Sequence, residues 1–320
     1  MRIGFLMDPL DGVRVDHDST FALMLECQRR GIEIRELRQE WLYVANGRTH
    51  ARMRTVEVQR KAGSHFRVAG DFEAPLAELD LLFLRKDPPV DLEFLRATQL
   101  VELGPGPLVI NHPAGLRAAN EKLFALRFPD LVPPTLVTRE IARVREFIDA
   151  QGGDAVVKPL DGYGGQGVLR VRRGDPNLST LLEIATGNGT VPVMAQAYLP
   201  AVREGDKRII LLGGEPLGGV LRVPARGELR ANFASGGKAA PAPLTPRDRE
   251  ICRRLAPALD ELGLWLVGID VIGGNLTEVN VTSPTGLVEI DALSGESLEA
   301  KVIDFALDRA GLRARAAAGM

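Results

Sequence analysis

Asp270-Val-Ile-Gly-Gly-Asn-Leu-Thr-Glu-Val-Asn-Val-Thr-Ser-Pro284 is the stretch on which the reading of this chain turns. Trp265, Leu266, Val267 and Ile269 lead into it as a buried strand, and Gly273-Gly274-Asn275 marks a hairpin turn. A three-residue loop pairs Ile272 with Leu276 and sets Asp270 opposite Glu278. Asn280 follows Glu278 by two and shares its face of the strand. Two carboxylates and a carboxamide then converge, an all-oxygen set of the kind hard cations take: Mg²⁺ above all, with Mn²⁺ as the alternative. A lone Asp and Glu on a hairpin are more often merely solvated. Here apolar flanks and the following Ser-Pro-Thr-Gly turn favour a metal site.

Working outward from that hairpin, the preceding segment from Thr245 to Gly263 reads as a helix with Thr245 at its N-cap and Pro246 in its first turn. Before it lies the strand Ile209 to Leu212, the turn Gly213-Gly214 and a returning strand through Val223, with Asp206, Lys207 and Arg208 at one end and Arg222 at the other. Arg230, Asn232 and the Ala234-Ser-Gly-Gly-Lys238 loop sit between. Further upstream, Ala155-Val-Val-Lys158 is a strand, and the loop from Asp161 to Gly167 carries four glycines in six positions, Gly162, Gly164, Gly165 and Gly167. Such a loop lets backbone N–H groups approach phosphates closely. It is no P-loop, because no Gly-Lys-Ser/Thr follows and a strand rather than a helix comes next. Val193 to Leu199 gives a strand with a proline exit, shaped like the edge of an adenine pocket. Asn120 to Leu126, with Lys122, reads as the start of a helix.

The first third reads as an α/β domain. Ile3 to Met7 is a strand, Asp18 caps a helix running to Arg30, and Glu33 to Leu37 is the next strand, which implies a parallel pair with a right-handed crossover. Trp41 to Arg60 forms a hairpin about Asn46-Gly47. Leu79 to Leu84 is a strand that ends in Arg85-Lys86-Asp87-Pro88-Pro89, a loop at the sheet edge where α/β proteins bind ligands. No Gly-x-Gly-x-x-Gly follows the first strand, which argues against a dinucleotide site.

Composition bounds the rest. The 320 residues carry a net charge of −2, which suggests neither a nucleic-acid nor a membrane partner. Cys27 and Cys252 stand apart, without histidine or cysteine nearby, as thiols of a reducing compartment. The apolar run from Ile3 to Met7 is too short for a signal peptide or a membrane span, so a cytoplasmic location is expected. Two lysines, several arginines, two glycine loops and an oxygen-ligand triad together are the equipment of phosphoryl transfer.

The succession Asn120-Glu-Lys-Leu, Lys158-Pro-Leu-Asp-Gly-x-Gly-Gly, Gly205-Asp-Lys-Arg, Asn232-x-Ala-x-Gly-Gly and Thr277-Glu-x-Asn-Val-Thr-Ser-Pro-Thr resembles the ATP-grasp superfamily, and within it the bacterial glutathione synthetase family. Met7-Asp8-Pro9, Glu26-x-Gln-Arg-Arg-Gly31 and Arg85-Lys-Asp-Pro-Pro89 extend the likeness through the first third, so it covers the chain to about residue 305. The resemblance implies a Rossmann-like parallel-sheet domain over 1–120, then an ATP-grasp fold in two parts, 121–197 with the flap and 198–320 with the metal site. ATP and Mg²⁺ are the implied cofactors. Lys122 and Lys158 would lie on the phosphates, with the Asp161–Gly167 loop over them. Gln196, Tyr198 and Leu199 would line adenine, and Asp206 would reach the ribose. Asp270, Glu278 and Asn280 would hold two Mg²⁺ ions.

The implied substrates are γ-glutamylcysteine and glycine, joined through an acyl phosphate with loss of ADP and phosphate. Arg208, beside Lys158, would stabilise the transferring phosphoryl group. Arg85, Arg222, Arg230, Asn232, Ser283 and Thr285 would bind substrate, and a homo-oligomer is expected. Lys238 stands where the resemblance leads one to expect arginine, and Tyr163 where methionine is common. The tail from Ala306 to Met320 matches nothing in the family and is expected to fray. Another carboxylate–amine ligase of the superfamily, such as a D-alanine–D-alanine or glutamate ligase, is the nearer alternative. A non-catalytic nucleotide-binding protein is the more distant one, and the intact triad argues against it.

Overall fold

The structure is a computed structural model that describes residues 1–225, 227–228 and 230–311. Its first sheet grows from β1 (Arg2–Met7), α1 (Ser19–Arg29) and β2 (Glu33–Leu37), with β1 and β2 parallel. Asp18 caps α1 by accepting the Phe21 N–H at 2.7 Å. β3 (Leu42–Ala45) and β4 (Arg48–Val58) form the hairpin about Asn46-Gly47. β5 (Phe66–Pro75), absent from the sequence reading, pairs along β4. β6 (Leu81–Arg85), α2 (Leu92–Val101), β7 (Leu108–Ile110) and α3 (Pro113–Ala118) complete the layer. Strand order is β3-β4-β2-β1-β6-β7, with β5 on the far side of β4.

A second, antiparallel sheet has the order β10-β9-β11-β8, from β8 (Thr135–Thr138), β9 (Asp154–Pro159), β10 (Leu169–Arg172) and β11 (Val193–Ala197). Two helices cover one face: α4 (Ile141–Ala150) buries Val144 and Ile148, four residues apart, and α5 (Leu178–Ala185) buries Leu178 and Leu182. They close over Ala155, Val157, Val171 and Val193.

The third sheet carries the site. It runs β14-β13-β12-β15-β16, from β12 (Asp206–Leu212), β13 (Glu215–Val223), β14 (Lys238–Pro241), β15 (Leu266–Ile272) and β16 (Asn275–Asn280). The two faces of β12 have different work. Ile209 and Leu211 pack under α6 (Pro246–Glu261), which presents Ile251, Cys252, Leu255 and Leu259 at spacings of three and four. On the other face, Ile210 and Leu212 lie under α7 (Leu287–Ser294) and α8 (Leu298–Arg309), while Asp206 and Arg208 continue that face past the helices. α6 begins with a capping box between Thr245 and Asp248, with Pro246 just inside the start.

Three local expectations are corrected. The β15–β16 turn has two residues, Gly273 and Gly274, so Ile272 pairs with Asn275 and Val271 with Leu276. A bulge beyond Val271 then restores Asp270 opposite Glu278. Residues 120–126 are a turn followed by a 3₁₀ segment over Phe124–Arg127. Asn120 Oδ1 takes the Lys122 and Leu123 N–H groups, and the Glu121 carbonyl accepts from Val279 on β16 instead of from a following helical turn. Finally, Ala306 and Leu307 are buried in α8 and belong to the core rather than to a fraying tail. α8 continues to Arg309, and the last part of that tail, 312–320, lies outside the described residues.

Candidate active site

Cross-strand register assembles the site on one face of the third sheet. Asp206 pairs with Arg222, Arg208 with Asp270, and Asp270 with Glu278, while Asn280 sits one step further along β16. Two of these pairs join opposite charges, Asp206 with Arg222 and Arg208 with Asp270, while Asp270 and Glu278 set two carboxylates side by side. Arg208 holds Asp270 with two bonds, Nε to Oδ1 at 2.5 Å and Nη2 to Oδ2 at 3.0 Å. Arg222 Nη2 reaches both Asp206 Oδ2 at 2.5 Å and Asp270 Oδ2 at 2.9 Å. Asn280 Nδ2 donates to the same Asp270 oxygen at 3.3 Å. Burial opposes charge on Asp270, yet the two guanidiniums outweigh it and hold the carboxyl below the usual carboxylate range. Asp206 goes the other way: burial, only partly offset by Arg222 and reinforced by Asp270, pushes it up to about 6.

Two lysines face this array from other elements. Lys122 Nζ lies 3.9 Å and Lys158 Nζ 4.0 Å from Glu278 Oε1. Lys158 ends β9 in the second sheet, and Gln196 on β11 fixes it through an Nζ to Oε1 bond of 3.0 Å. Lys122 Nζ also donates to the Gly162 carbonyl at 2.5 Å, so it touches the base of the glycine loop. That loop leans on the 230–237 segment, with Ser235 Oγ donating to the Gly164 carbonyl at 3.1 Å. At Gly165 (φ +80°) a Cβ would stand 2.8 Å from Asn232 Oδ1, too close for any side chain. One cavity, lined by Lys122, Lys158, Gly164, Asp206, Asp270 and Glu278, runs under the loop. A second, holding Arg208, Arg222, Asn280, Ser283 and Thr285, opens beside it, and Glu278, Asn232 and the loop tip border both.

The residues fit a divalent cation. Asp206 Oδ1 is buried with no hydrogen-bond partner, and it lines the same cavity as Asp270 and Glu278. Among the described residues no three His, Cys, Asp or Glu side chains enclose a metal ion. An ion held here would draw its remaining ligands from phosphate oxygens and water.

Several expected contacts lie elsewhere. Arg85 is buried, donating to Thr20 Oγ1 at 3.0 Å and to the Pro284 carbonyl at 2.9 Å, and it borders a neighbouring cavity with Asp8 and Asp18. It braces the 283–285 turn from behind instead of lining the second cavity. Arg230 pairs with Glu228 and lines the cavity under the glycine loop, not the second cavity. Asp206 gives Oδ2 to Arg222 and keeps Oδ1 unpartnered in the cavity under the glycine loop. Gln196, Tyr198 and Leu199 are set back from the first cavity: Gln196 is occupied by Lys158 and Thr135, and Arg170 lies 3.5 Å over the Tyr198 ring. Apolar lining comes instead from Val156, Val168, Val202 and Ile272, which no motif marks. Asp161 borders a third cavity with Glu121, and Gly167 lies behind the loop against Pro159. Glu121 itself was missed. Its Oε1 accepts from Val281 at 3.2 Å and Thr282 at 3.4 Å, and burial together with the charge of Glu278 pushes its carboxyl upward.

The fold and this charge lattice define an ATP-grasp protein. Solved structures agree on the fold: a D-cycloserine synthetase superposes with a TM-score of 0.69 at 18% identity, covering 96% of this chain and 99% of that one. An ATP-grasp protein with a RimK domain from Sphaerobacter thermophilus gives 0.62 at 19%, covering 96% and 100%. The family model for the N-terminal domain of prokaryotic glutathione synthetase matches residues 1–117, and that for its ATP-grasp domain matches 121–295. The glutathione synthetase of Pseudomonas putida is 47% identical over 97% of this chain and 98% of its own length, and that of Escherichia coli K12 is 45% identical over 95% and 97%. The chain belongs to the prokaryotic glutathione synthetase family.

Proposed function

We propose that the chain is a glutathione synthetase, which ligates γ-glutamylcysteine to glycine at the expense of ATP. The carrying observation is the sheet face of Arg208, Asp270 and Glu278 with two lysines set against it from other elements, cations and oxygen ligands gathered at the junction of two cavities. Lys122 and Lys158 neutralise phosphate charge from above the sheet, and the glycine loop closes over them. A divalent ion held by Asp270, Glu278 and Asn280, Mg²⁺ in preference to Mn²⁺, would add charge neutralisation at the phosphates. The cysteinyl carboxylate of the dipeptide attacks the γ-phosphorus, ADP leaves, and the acyl phosphate forms in the cavity lined by Arg208, Ser283 and Thr285. The amine of glycine then attacks the acyl carbon and phosphate leaves. No side chain need act as nucleophile; alignment and fixed positive charge lower the barrier. The loop excludes water that would hydrolyse the acyl phosphate.

A cytoplasmic setting and self-association belong to the same proposal. Cys27 and Cys252 are free and buried, burial pushing the Cys252 thiol up to about 12, which suits a reducing compartment. Among the described residues no helix is long and apolar enough to cross a membrane. The deciding test is ADP release from ATP and Mg²⁺ with γ-glutamylcysteine, with and without glycine. Release that needs both substrates and yields a product of glutathione mass supports the proposal; turnover only with another acid or amine overturns it.

A further inference from the structure

The second cavity, the acceptor cavity in which the acyl phosphate is proposed to form, has a further polar end to which the roles above assign nothing. Glu289, in the first turn of α7, is 8% exposed, and its Oε1 lies 3.1 Å from Nδ1 of His17. Its Oε2 is buried and meets no hydrogen-bond donor among the described residues. A buried carboxylate oxygen left without a donor costs free energy, so the arrangement is built for a donor that arrives with the ligand. Glu289 and His17 line this cavity with Arg14, which is exposed at its rim, while Arg208, Glu278 and Asn280 line it too, on the phosphoryl side. The cavity is thus cationic where a carboxylate must be activated and carries a buried anion elsewhere in its wall.

Building on the functional reading above, we propose that Glu289 receives the free α-ammonium of the γ-glutamyl residue, with His17 fixing the orientation of its carboxylate. The amine of glycine does not suit this position, because it must be uncharged and beside the acyl phosphate to react. A γ-linked glutamyl residue keeps its α-ammonium and its α-carboxylate free together, and Arg14 stands at the rim with the charge to meet the second. Glu289 is on this account a specificity-determining residue, acting on binding of one substrate and not on the phosphoryl step. A site built to bond a charged group rejects the analogue that lacks it.

Steady-state kinetics with γ-glutamylcysteine and with glutarylcysteine, which differs only in lacking the α-amine, tests the assignment. For the wild type, kcat/KM with glutarylcysteine should be lower by roughly 10- to 100-fold. Glu289→Gln should lower kcat/KM for γ-glutamylcysteine by a similar factor, chiefly through KM, and leave glutarylcysteine and the KM for ATP unchanged. Equal losses on both substrates, or no loss on either, overturn the assignment. Should Glu289→Gln fail to fold, His17→Asn at the exposed rim carries the test: a several-fold rise in KM confined to γ-glutamylcysteine supports it, and equal effects on the two substrates overturn it. Absence of wild-type turnover with γ-glutamylcysteine sinks the functional reading, and this placement with it.

Discussion

Arg208 grips Asp270 across adjacent strands with two bonds of 2.5 and 3.0 Å, and both side chains are almost wholly buried. The pair does two jobs, since Asp270 is a metal-ligand candidate and Arg208 lines the acceptor cavity. Lysine at 208 keeps a charge but loses the planar fork, so one guanidinium bond to Asp270 goes and the charge centre retracts. We expect Arg208→Lys to lower kcat by about 10²- to 10³-fold while KM for ATP changes little. Rapid-quench measurement of ADP formation checks this; a normal burst would place Arg208 outside the phosphoryl step.

Glu278 is partly exposed and faces two lysines at about 4 Å, so its removal costs little folding energy and much function. Glu278→Ala should lose turnover by roughly 10³-fold or more and melt close to the wild type. Near-normal activity in that variant would contradict the metal-ligand role. A Mg²⁺ titration of Glu278→Gln adds a second readout, with the midpoint moving to higher metal concentration.

Gly165 separates the glycine loop from Asn232 and Arg230, and its φ of +80° already disfavours a side chain. Gly165→Ala must either hold strain or lift the loop away, at a cost of about 1–2 kcal/mol. We expect KM for ATP to rise about tenfold and the uncoupled hydrolysis of the acyl phosphate to increase, measured as ADP formed per glutathione. An unchanged ratio would mean that the loop does not guard the intermediate.

Asn111 joins the first sheet to β15 and the end of β16. Its amide Nδ2 donates to the carbonyls of Leu266 and Val281, and its Oδ1 accepts from Trp265 and Leu266, all at 2.7–2.8 Å. These bonds bridge β15 and the end of β16 where their own ladder has stopped. Asn111→Leu strands four buried backbone groups and should cost roughly 3 kcal/mol, read by urea unfolding. A loss under 1 kcal/mol would show that water or a shifted backbone satisfies them.

Much of this was legible in the chain itself, for reasons that particular residues explain. The placing of Asp270 opposite Glu278 was legible because strand parity survives an error in the turn: a two-residue turn plus a bulge returns the same pairing as a three-residue loop. Lys158 was legible because a lysine closing an apolar strand before a glycine run is unusual. The clasp of Arg222 on Asp270 was not, because it depends on β12 lying between β13 and β15, a topological fact that spacing does not encode. Glu121 was hidden for a related reason, since its bonds to Val279, Val281 and Thr282 cross about 160 positions. His17 and Glu289 are 272 residues apart and belong to no motif. The apolar lining Val156, Val168, Val202 and Ile272 looks like ordinary strand residues until the sheets are stacked.

The α7–α8 corner, two residues beyond Glu289, supplies a pH-dependent prediction. Asp291 accepts the Leu298 N–H at 2.9 Å, and burial, then a hydrogen bond shared with Glu299, pushes its carboxyl up to about 8 from an ordinary 3.8. The folded value lies above the unfolded one, so folding favours the protonated form. The stability this group contributes is therefore fully present below pH 3.8 and is lost as pH rises through about 8. Above that point two carboxylates face each other at the start of α8. Asn at 291 keeps an oxygen for Leu298 and cannot ionise, so it removes the pH-dependent part alone. We expect the wild-type melting temperature to fall between pH 7 and pH 9, the Asp291→Asn curve to be flatter, and the variant to be the more stable of the two at pH 9. Parallel melting curves over that range would show that the Asp291–Glu299 pair does not share a proton in the folded protein.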